Sequence, residues 1–210
     1  MPRIPLFPLS EPMTPEQRRV YEAIVSGPRG TIVGPLRAAL HSPELADRWQ
    51  HLGAFLRYKT TLPNRLGELA ILVTARRWNS QVEWYVHAQA ASKAGISDEV
   101  IEAIRVAESP VFSDPDEAAV YEFSRELQVF GQVSEKIYRQ IQKRFDTVGV
   151  VELTALIGYY TMVSMTLNVH DIPLPEGVVP PLEPISDNTI KPSKESGRTS
   201  LHTLSPAVFA

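Results

Sequence analysis

The 210-residue chain contains no cysteine. Disulfide bonds, thiolate metal sites and every redox cycle that uses a thiol are therefore excluded from it, because each needs a cysteine sulfur. The absence agrees with a reducing compartment, where disulfides are rare. Any chemistry that this chain performs must come from other side chains.

Neither a strong charge nor a long apolar run is present. The 21 Lys and Arg residues stand against 24 Asp and Glu residues, a formal net charge of -3 that leaves no basic footprint for nucleic acid. No apolar run reaches the roughly 20 residues that a membrane span needs. Pro2 and Pro5 occur where a signal peptide would carry its hydrophobic segment. We therefore expect a cytoplasmic protein that binds neither nucleic acid nor membrane.

Helix start signals recur along the chain. Thr14-Pro15-Glu16 and Ser42-Pro43-Glu44 each combine a cap residue, a proline for the first helical position and an acid near the positive end of the helix dipole. They predict helices over about 15–26 and 43–59, joined by a loop that contains the Gly-Pro pairs of 27–35. Similar signals and hydrophobic periodicity predict further helices over about 65–75, 80–94, 97–107, 113–130, 134–145 and 146–168.

The pattern as a whole predicts an all-α, single-domain helical bundle. No segment alternates between apolar and polar residues as a half-buried strand does. With 43% hydrophobic residues, a chain of this length can form one substantial core. From Pro173 onward, repeated prolines prevent regular helix. We therefore divide the chain into a helical domain over 1–180 and an extended or disordered tail over 181–210.

The chemically most informative positions lie on one predicted helix. Ser80, Glu83 and His87 have spacings of three, four and seven, so they project from a single helix face. Trp84 falls beside them and the opposite face is polar, so this face looks toward the core. Glu68 in the preceding helix also lies among apolar residues. A buried carboxylate is costly unless it is hydrogen-bonded, protonated or retained for chemistry.

Each of these residues also has a purely structural interpretation. Ser80 and Glu83 fit the Ser-x-x-Glu capping box, in which each side chain satisfies the other's backbone amide at the start of a helix. His87 could be a core histidine bonded to a backbone carbonyl, and Glu68 could form an ion pair with a nearby arginine. A metal site is disfavoured, because one imidazole with two carboxylates is a weak ligand set. We predict no metal.

These residues belong to a wider resemblance. The run Arg65-Leu66-Gly67-Glu68-Leu69-Ala70-Ile71-Leu72, followed by Glu83-Trp84-Tyr85-Val86-His87 and Ala94-Gly95-Ile96-Ser97-Asp98-Glu99, resembles the carboxymuconolactone decarboxylase family. That family includes the alkylhydroperoxidase-D-like (AhpD-like) proteins. The likeness covers about residues 10–180, with further matching stretches at 41–45, 52–56, 157–160 and 173–175.

The peroxidase branch of that family carries a Cys-x-x-Cys-x-x-x-His motif and, one helix earlier, a glutamate that relays protons. The cysteine positions match Ser80 and Glu83 here, and the histidine and glutamate match His87 and Glu68. A hydroxyl and a carboxylate cannot form a disulfide or reduce a peroxide, so thiol peroxidase activity by this route is excluded. The resemblance further implies the acid–base chemistry of the decarboxylase branch, a trimeric or hexameric homo-oligomer, and no cofactor.

We predict a cofactor-free lyase of the decarboxylase type, or a related proton-transfer enzyme, that acts on a small carboxylated substrate such as a lactone. The predicted catalytic residues are His87 as acid and base, Glu83 as its coupled acid and Glu68 as relay. The predicted substrate-binding residues are Ser80, Trp84 and His51. One of three arginines is expected to hold a substrate carboxylate: Arg65, Arg76 or Arg77. The alternative is a non-catalytic helical oligomer or small-molecule binding module on the same scaffold.

Overall fold

Eight helices form the regular structure of the residues that the computed structural model describes, which are 1–7, 12–28, 30–185 and 190–194. They are α1 (Pro15–Ser26), α2 (Gly34–Ala39), α3 (Pro43–Tyr58), α4 (Asn64–Arg77), α5 (Gln81–Ala94), α6 (Asp98–Arg105), α7 (Pro115–Phe130) and α8 (Glu135–Val169). No strand occurs within these residues. The predicted all-α fold is confirmed.

Several predicted start and stop signals are seen in the structure. Thr14 caps α1 through a reciprocal capping box with Gln17, and Ser97 accepts a hydrogen bond from the backbone of Val100 at the start of α6. Gly95 ends α5 with φ 100°, a left-handed conformation in which a side chain would be strained. The left-handed turn there leads the chain from α5 directly into α6.

Helix α4 lies at the centre of the bundle. It packs against α5, α7 and α8, and Leu69, Ala70 and Leu72 are completely buried. Its sequence is apolar almost all round, as a helix enclosed by its neighbours requires. Glu68 is therefore held inside the protein, on the side of α4 that faces α5.

Helix α8 joins two segments that the sequence predicts as separate helices. Asp146 interrupts it with φ 56° and ψ -176°, at the boundary between the predicted helices over 134–145 and 146–168. By length and composition, α8 alone among the described helices could cross a membrane. However, 56% of its most apolar window is buried within the protein, as in the core helix of a soluble helical fold.

A short helix occupies part of the segment predicted as a loop over 27–35. Helix α2 begins at Gly34, and Pro35 lies in its first turn, where a missing backbone N–H leaves no hydrogen bond unmade. Leu36 is buried and α2 packs against α3 and α8. The loop prediction is therefore wrong from Gly34 onward, and the helix brings this segment beside the site described below.

Beyond α8 the described chain has no regular structure, yet it packs closely on the helices. Leu182 and Ile190 are only 3% and 2% exposed. The side chain of Gln81 donates to the carbonyl of Leu182 and accepts from its N–H, at 2.8 and 3.0 Å. The parts of the predicted tail over 186–189 and 195–210 lie outside the described residues, so the division of the chain at 180 stays a prediction.

Candidate active site

His87 lies between two glutamates inside the protein. Its Nδ1 is 2.6 Å from Oε2 of Glu68, and its Nε2 is 2.9 Å from Oε1 of Glu83. None of the three side chains is more than 7% exposed. The three predicted catalytic residues thus form one continuous row, Glu68–His87–Glu83.

Three helices position this row. Glu83 and His87 are four residues apart on α5, so their side chains meet on one face. Glu68 reaches the same imidazole from α4, which packs alongside α5. From α8, the ring of Tyr160 contacts the imidazole edge-on, with the ring centroids 5.1 Å apart. The orientation of His87 is therefore fixed on both nitrogens and across the ring.

The surroundings of His87 favour its charged form. Burial lowers the pKa of the imidazole, but the charge of Glu83 and the hydrogen bonds with Glu68 and Glu83 act more strongly, and together they raise the pKa to about 9. At neutral pH His87 is therefore an imidazolium. Only this form can donate a hydrogen bond from each ring nitrogen, one to each carboxylate.

A cavity of about 80 Å³ opens beside the Glu83 end of the row. Its polar wall comprises Glu83, His87, Arg57, Tyr159 and Tyr160. Most of the remaining wall is apolar and is formed by Val33, Leu36, Val82, Val86 and Val163, together with Gly34 and Pro35. An apolar wall excludes water, so the charges of the row act strongly on a molecule bound in this cavity.

A second cavity, of about 130 Å³, borders the Glu68 end of the row. Glu68 and Arg57 line it, together with the polar residues Tyr58, Thr60 and Asn64. The row therefore extends from one cavity to the other, with Glu83 and His87 facing the first and Glu68 facing the second. Arg57 contributes to the walls of both.

Tyr160 adds a neutral polar group to the first cavity. Burial raises the pKa of its phenol well above the ordinary value, and the nearby charge of Glu83 raises it further. The phenol therefore stays protonated at neutral pH and can donate a hydrogen bond. Sequence analysis assigned no role to this residue.

The alternative interpretation of Ser80 and Glu83 as a capping box is wrong. Ser80 occupies the N-cap position, but its side chain makes no capping hydrogen bond, and the carboxylate of Glu83 contacts His87 instead. The Oγ of Ser80 is buried and has no hydrogen-bond partner among the described residues. Ser80 also does not line the first cavity, so the structure does not place it against a ligand there.

Two further predicted substrate-binding residues lie away from the cavity. Trp84 is buried in the hydrophobic core. His51 is exposed on α3, where its Nδ1 is 2.7 Å from the backbone carbonyl oxygen of Asp47. Neither lines the first cavity. The structure thus brings Glu68, Glu83 and His87 together but does not bring Trp84 or His51 to them.

The three arginines expected to hold a substrate carboxylate have other partners. Arg65 forms ion pairs with two acids at the N-terminal end of α7. Arg76 donates to Oδ1 of Asn79 at 2.6 Å, and Arg77 donates to a backbone carbonyl near the end of α7. None of the three lines the first cavity. The arginine that does is Arg57, which the sequence analysis missed.

A signal for Arg57 exists in the sequence. Gln50 and Gly53 lie on the buried face of α3, and Arg57 follows them by seven and four residues. These spacings place an arginine on a helix face that otherwise packs inward. A lone cation at such a position is a candidate for binding a negative group.

The donor set of the row does not resemble a metal site. Within the described residues, no group of three or more His, Asp and Glu side chains is arranged to hold a metal ion. An imidazolium also cannot coordinate a metal, because both of its nitrogens carry hydrogen. That the site works without a metal or cofactor stays a prediction.

Solved structures share this arrangement of helices. An uncharacterised peroxidase-related protein from Silicibacter sp. TM1040 matches with a TM-score of 0.65 at 12% identity, over 83% of this chain and 95% of its own. A protein of unknown function from Agrobacterium tumefaciens, proposed to be the antioxidant defence protein AhpD, gives 0.58 at 17% identity over 68% and 99%. The debrominase Bmp8, in a variant bound to 2,3,4-tribromopyrrole, gives 0.56 at 12% identity over 78% and 89%. These likenesses define the protein as one with an AhpD-like all-α fold.

The sequence of the central helices resembles a known family. Residues 43–124 match the model of the carboxymuconolactone decarboxylase family, and this segment contains Glu68, Glu83 and His87. The resemblance found by sequence analysis is thereby confirmed over this segment, and the chain contains none of the redox cysteines of the peroxidase branch. No curated protein matches the chain.

Proposed function

We propose that this protein is a general acid–base enzyme that transfers a proton on a small carboxylated substrate, with decarboxylase-type lyase chemistry as its reaction. The single observation that carries the proposal is the buried His87 side chain, with each ring nitrogen within hydrogen-bond distance of a glutamate at the wall of a cavity. Such an arrangement supplies a proton donor at neutral pH together with the groups that orient it. Lactone carboxylates are the first substrates to consider, because an adjacent unsaturated carbonyl can accept the electron pair that decarboxylation leaves.

The proton balance of a decarboxylation fits this row. The bond between the substrate carbon and its carboxylate breaks, carbon dioxide leaves, and the electron pair moves into the adjacent carbonyl. The Nε2 proton of His87 passes to Oε1 of Glu83, 2.9 Å away, and from Glu83 to the substrate carbon. One proton is consumed, and His87 is left as a neutral imidazole that still carries hydrogen on Nδ1.

In this scheme Glu68 orients His87. Its Oε2 accepts the Nδ1 hydrogen at 2.6 Å before and after the transfer, which fixes the tautomer that the neutral imidazole adopts. Because Nδ1 already carries hydrogen, a proton arriving at Glu68 cannot pass through the ring to Nε2 without the ring turning over. The orienting role therefore suits Glu68 better than the relay role inferred from the resemblance. Solvent returns the proton through Glu83 once the product leaves.

The remaining parts of the proposal concern excluded chemistry, cellular location, oligomeric state and binding partners. Thiol peroxidase chemistry has no basis in this chain, because it lacks cysteine. We further propose a cytoplasmic homo-oligomer, trimeric or hexameric, that takes a small-molecule substrate without a cofactor and without nucleic acid or membrane as a partner. Sequence features and the family resemblance support these points.

The experiment that tests the proposal is a screen of lactone carboxylates for release of carbon dioxide, followed by variants of the row. On a substrate that wild type turns over, Glu83→Gln and His87→Ala should each lower kcat by about 100-fold or more, because general acid–base groups contribute roughly 100- to 10,000-fold. Glu44→Gln is the control, since Glu44 is an exposed glutamate that pairs with Arg48 on α3. It should keep wild-type turnover.

Two outcomes would overturn the catalytic assignment. One is wild-type turnover by either variant of the row on a verified substrate. The other is an imidazole of His87 that stays neutral throughout a pH titration followed by NMR, because a permanently neutral ring cannot be the proton donor. The second outcome would favour the non-catalytic binding module instead.

A further inference from the structure

The wall of the first cavity includes a cationic side chain, Arg57, whose role the acid–base row does not explain. Arg57 lies in the last turn of α3 and lines the cavity together with Glu83 and His87. Among the described residues, no carboxylate lies within ion-pair distance of its guanidinium. Its guanidinium lies over the ring of Tyr58, whose centroid is 5.8 Å from Cζ. A half-buried guanidinium therefore borders an open space without an acidic partner of its own.

The electrostatic setting keeps Arg57 charged. Burial lowers its pKa, but Tyr160, Tyr58, Glu68 and Glu83 act in the opposite direction and the net shift is upward. Because the guanidinium forms no ion pair with either carboxylate, it can form one with an anionic ligand.

We propose that Arg57 is the specificity-determining residue of the first cavity, and that it binds the carboxylate of a small ligand whose remaining atoms lie against Glu83 and His87. The assignment of the reacting carbon to Glu83 rests on the proposed function. The anion-binding role of Arg57 does not, because it follows from the cation and the cavity alone.

The chemistry of the guanidinium fits this ligand class. It presents paired N–H groups in a planar fork that matches the two oxygens of a carboxylate, and such charge-assisted pairs are stronger than neutral hydrogen bonds. The cavity is about 80 Å³ and its other walls are largely apolar. These dimensions favour a compact acid with one charged end over an extended polyanion.

The position of Arg57 also determines how a ligand would be oriented in the cavity. The cavity is lined by α5 through Glu83 and His87 and by α3 through Arg57, so the cation and the proton donor approach it from different helices. A ligand anchored at Arg57 by one carboxylate would present its uncharged part to the donor. A neutral molecule of the same shape would lack this anchor.

The test is a binding titration monitored by NMR or calorimetry. It uses two pairs of probes, each of which compares a carboxylate with its uncharged amide. The pairs are γ-butyrolactone-γ-carboxylate with its primary amide, and propionate with propionamide. Wild type should bind each carboxylate at least tenfold more tightly than its amide. Arg57→Gln should abolish that preference, and Arg57→Lys should keep part of it, because lysine retains the charge but not the fork.

The control lies on the same helix. Arg48 is an exposed arginine of α3 that pairs with Glu44, and Arg48→Gln should leave the preference for carboxylates unchanged. Thermal unfolding of each variant shows whether it is folded, and Arg57→Lys serves as the working variant should Arg57→Gln not fold.

The outcomes separate this inference from the proposed function. Equal binding of carboxylate and amide by wild type, absence of carboxylate binding at millimolar concentration, or an unchanged preference in the Arg57 variants would overturn it. A preference that depends on Arg57 in a protein that turns over none of its ligands would support the anion site and count against the enzyme. Turnover that survives loss of Arg57 with unchanged KM would count against the anion site alone.

Discussion

Both ring nitrogens of His87 face a carboxylate oxygen, at 2.6 and 2.9 Å. An ionised carboxylate can only accept a hydrogen bond, and a neutral imidazole can donate only one. Two carboxylate contacts are therefore satisfied only if the row holds one proton more than a neutral ring between two ionised acids. The geometry alone, independent of any titration, thus indicates that a proton is stored in the row.

This stored proton makes the stability of the fold depend on pH. The pKa of His87 rises from 6.5 in the unfolded chain to about 9 in the folded protein. Its stabilising contribution is therefore complete below pH 6.5 and is lost as the pH rises through about 9. At 1.36 kcal/mol per pH unit, the loss is on the order of 3 kcal/mol. Urea unfolding at pH 6.5 and above pH 9 measures it, and wild type should be less stable at the higher pH.

Matched variants isolate the contribution of the row. Glu83→Gln removes the charge that acts most strongly against the effect of burial, so the loss of stability should begin at lower pH than in wild type. Glu152→Gln alters another buried glutamate, which accepts hydrogen bonds from Thr61 and contacts no histidine. It should keep the wild-type pH window. An identical window in Glu83→Gln and wild type would show that the row does not control the titration.

The row could be predicted from sequence because its spacing carries the information. Glu83 and His87 are four residues apart, which dictates contact on any helix, and Glu68 was placed by its apolar neighbours and the family motif. Arg57 was missed because its role depends on a contact between distant parts of the chain. The cavity that it lines is formed by residues of α2, α3, α5 and α8. No local sequence pattern indicates that these helices come together.

Among the elements, α8 shows how one residue can reshape a helix. Asp146 has a left-handed φ of 56° within α8, and the chain resumes helical geometry after it. Gly149 lies one turn further on, where an added Cβ would overlap the Cβ of Phe145. Because a Cβ is fixed to the backbone, no rotamer change of Phe145 can relieve that overlap.

We therefore expect a Gly→Ala substitution to affect the free energy of unfolding differently at two positions of α8. Gly149→Ala should lower the free energy of unfolding by roughly 1–3 kcal/mol, the usual cost of overpacking. Gly158→Ala, where a Cβ meets nothing within 4 Å, should be neutral or raise it by up to about 1 kcal/mol, because alanine favours helix. Urea denaturation of both variants is the measurement. A Gly149 variant as stable as the Gly158 variant would mean that the break at Asp146 can relax.

Helix α2 shows that some helices cannot be predicted from local sequence. Gly34-Pro35 was interpreted as part of a loop, because that dipeptide commonly interrupts helices. The structure uses the pair at the start of a six-residue helix, and packing of Leu36 and its neighbours against α3 and α8 stabilises it. A helix of six residues has little stability of its own. Whether it forms therefore depends on tertiary contacts, which a local sequence pattern does not reveal. Its residues line the first cavity.

At the scale of the whole molecule, the C-terminal residues after α8 tie several helices together. Leu182 is bracketed by two hydrogen bonds to Gln81 of α5, and Arg105 of α6 donates to the carbonyl of Pro181 at 2.9 Å. Tyr121 of α7 donates to the carbonyl of Lys191 at 2.6 Å. The prolines of this stretch correctly excluded helix, but they gave no sign of these contacts, because the partners are 70 or more residues away.

The packing of Leu182 yields a prediction about the fold as a whole. Its side chain is 3% exposed, whereas that of Val179, three residues earlier, is 81% exposed. Leu182→Ala should therefore lower the free energy of unfolding by about 2 kcal/mol or more, as buried leucines do, and Val179→Ala should change it by less than about 0.5 kcal/mol. Thermal and urea unfolding of the full chain compare the two. If both variants match wild type, the segment after α8 adds nothing to stability. A loss confined to Leu182→Ala would show that the helices and this segment unfold as one unit, because a contact that opened independently could not shift the global transition.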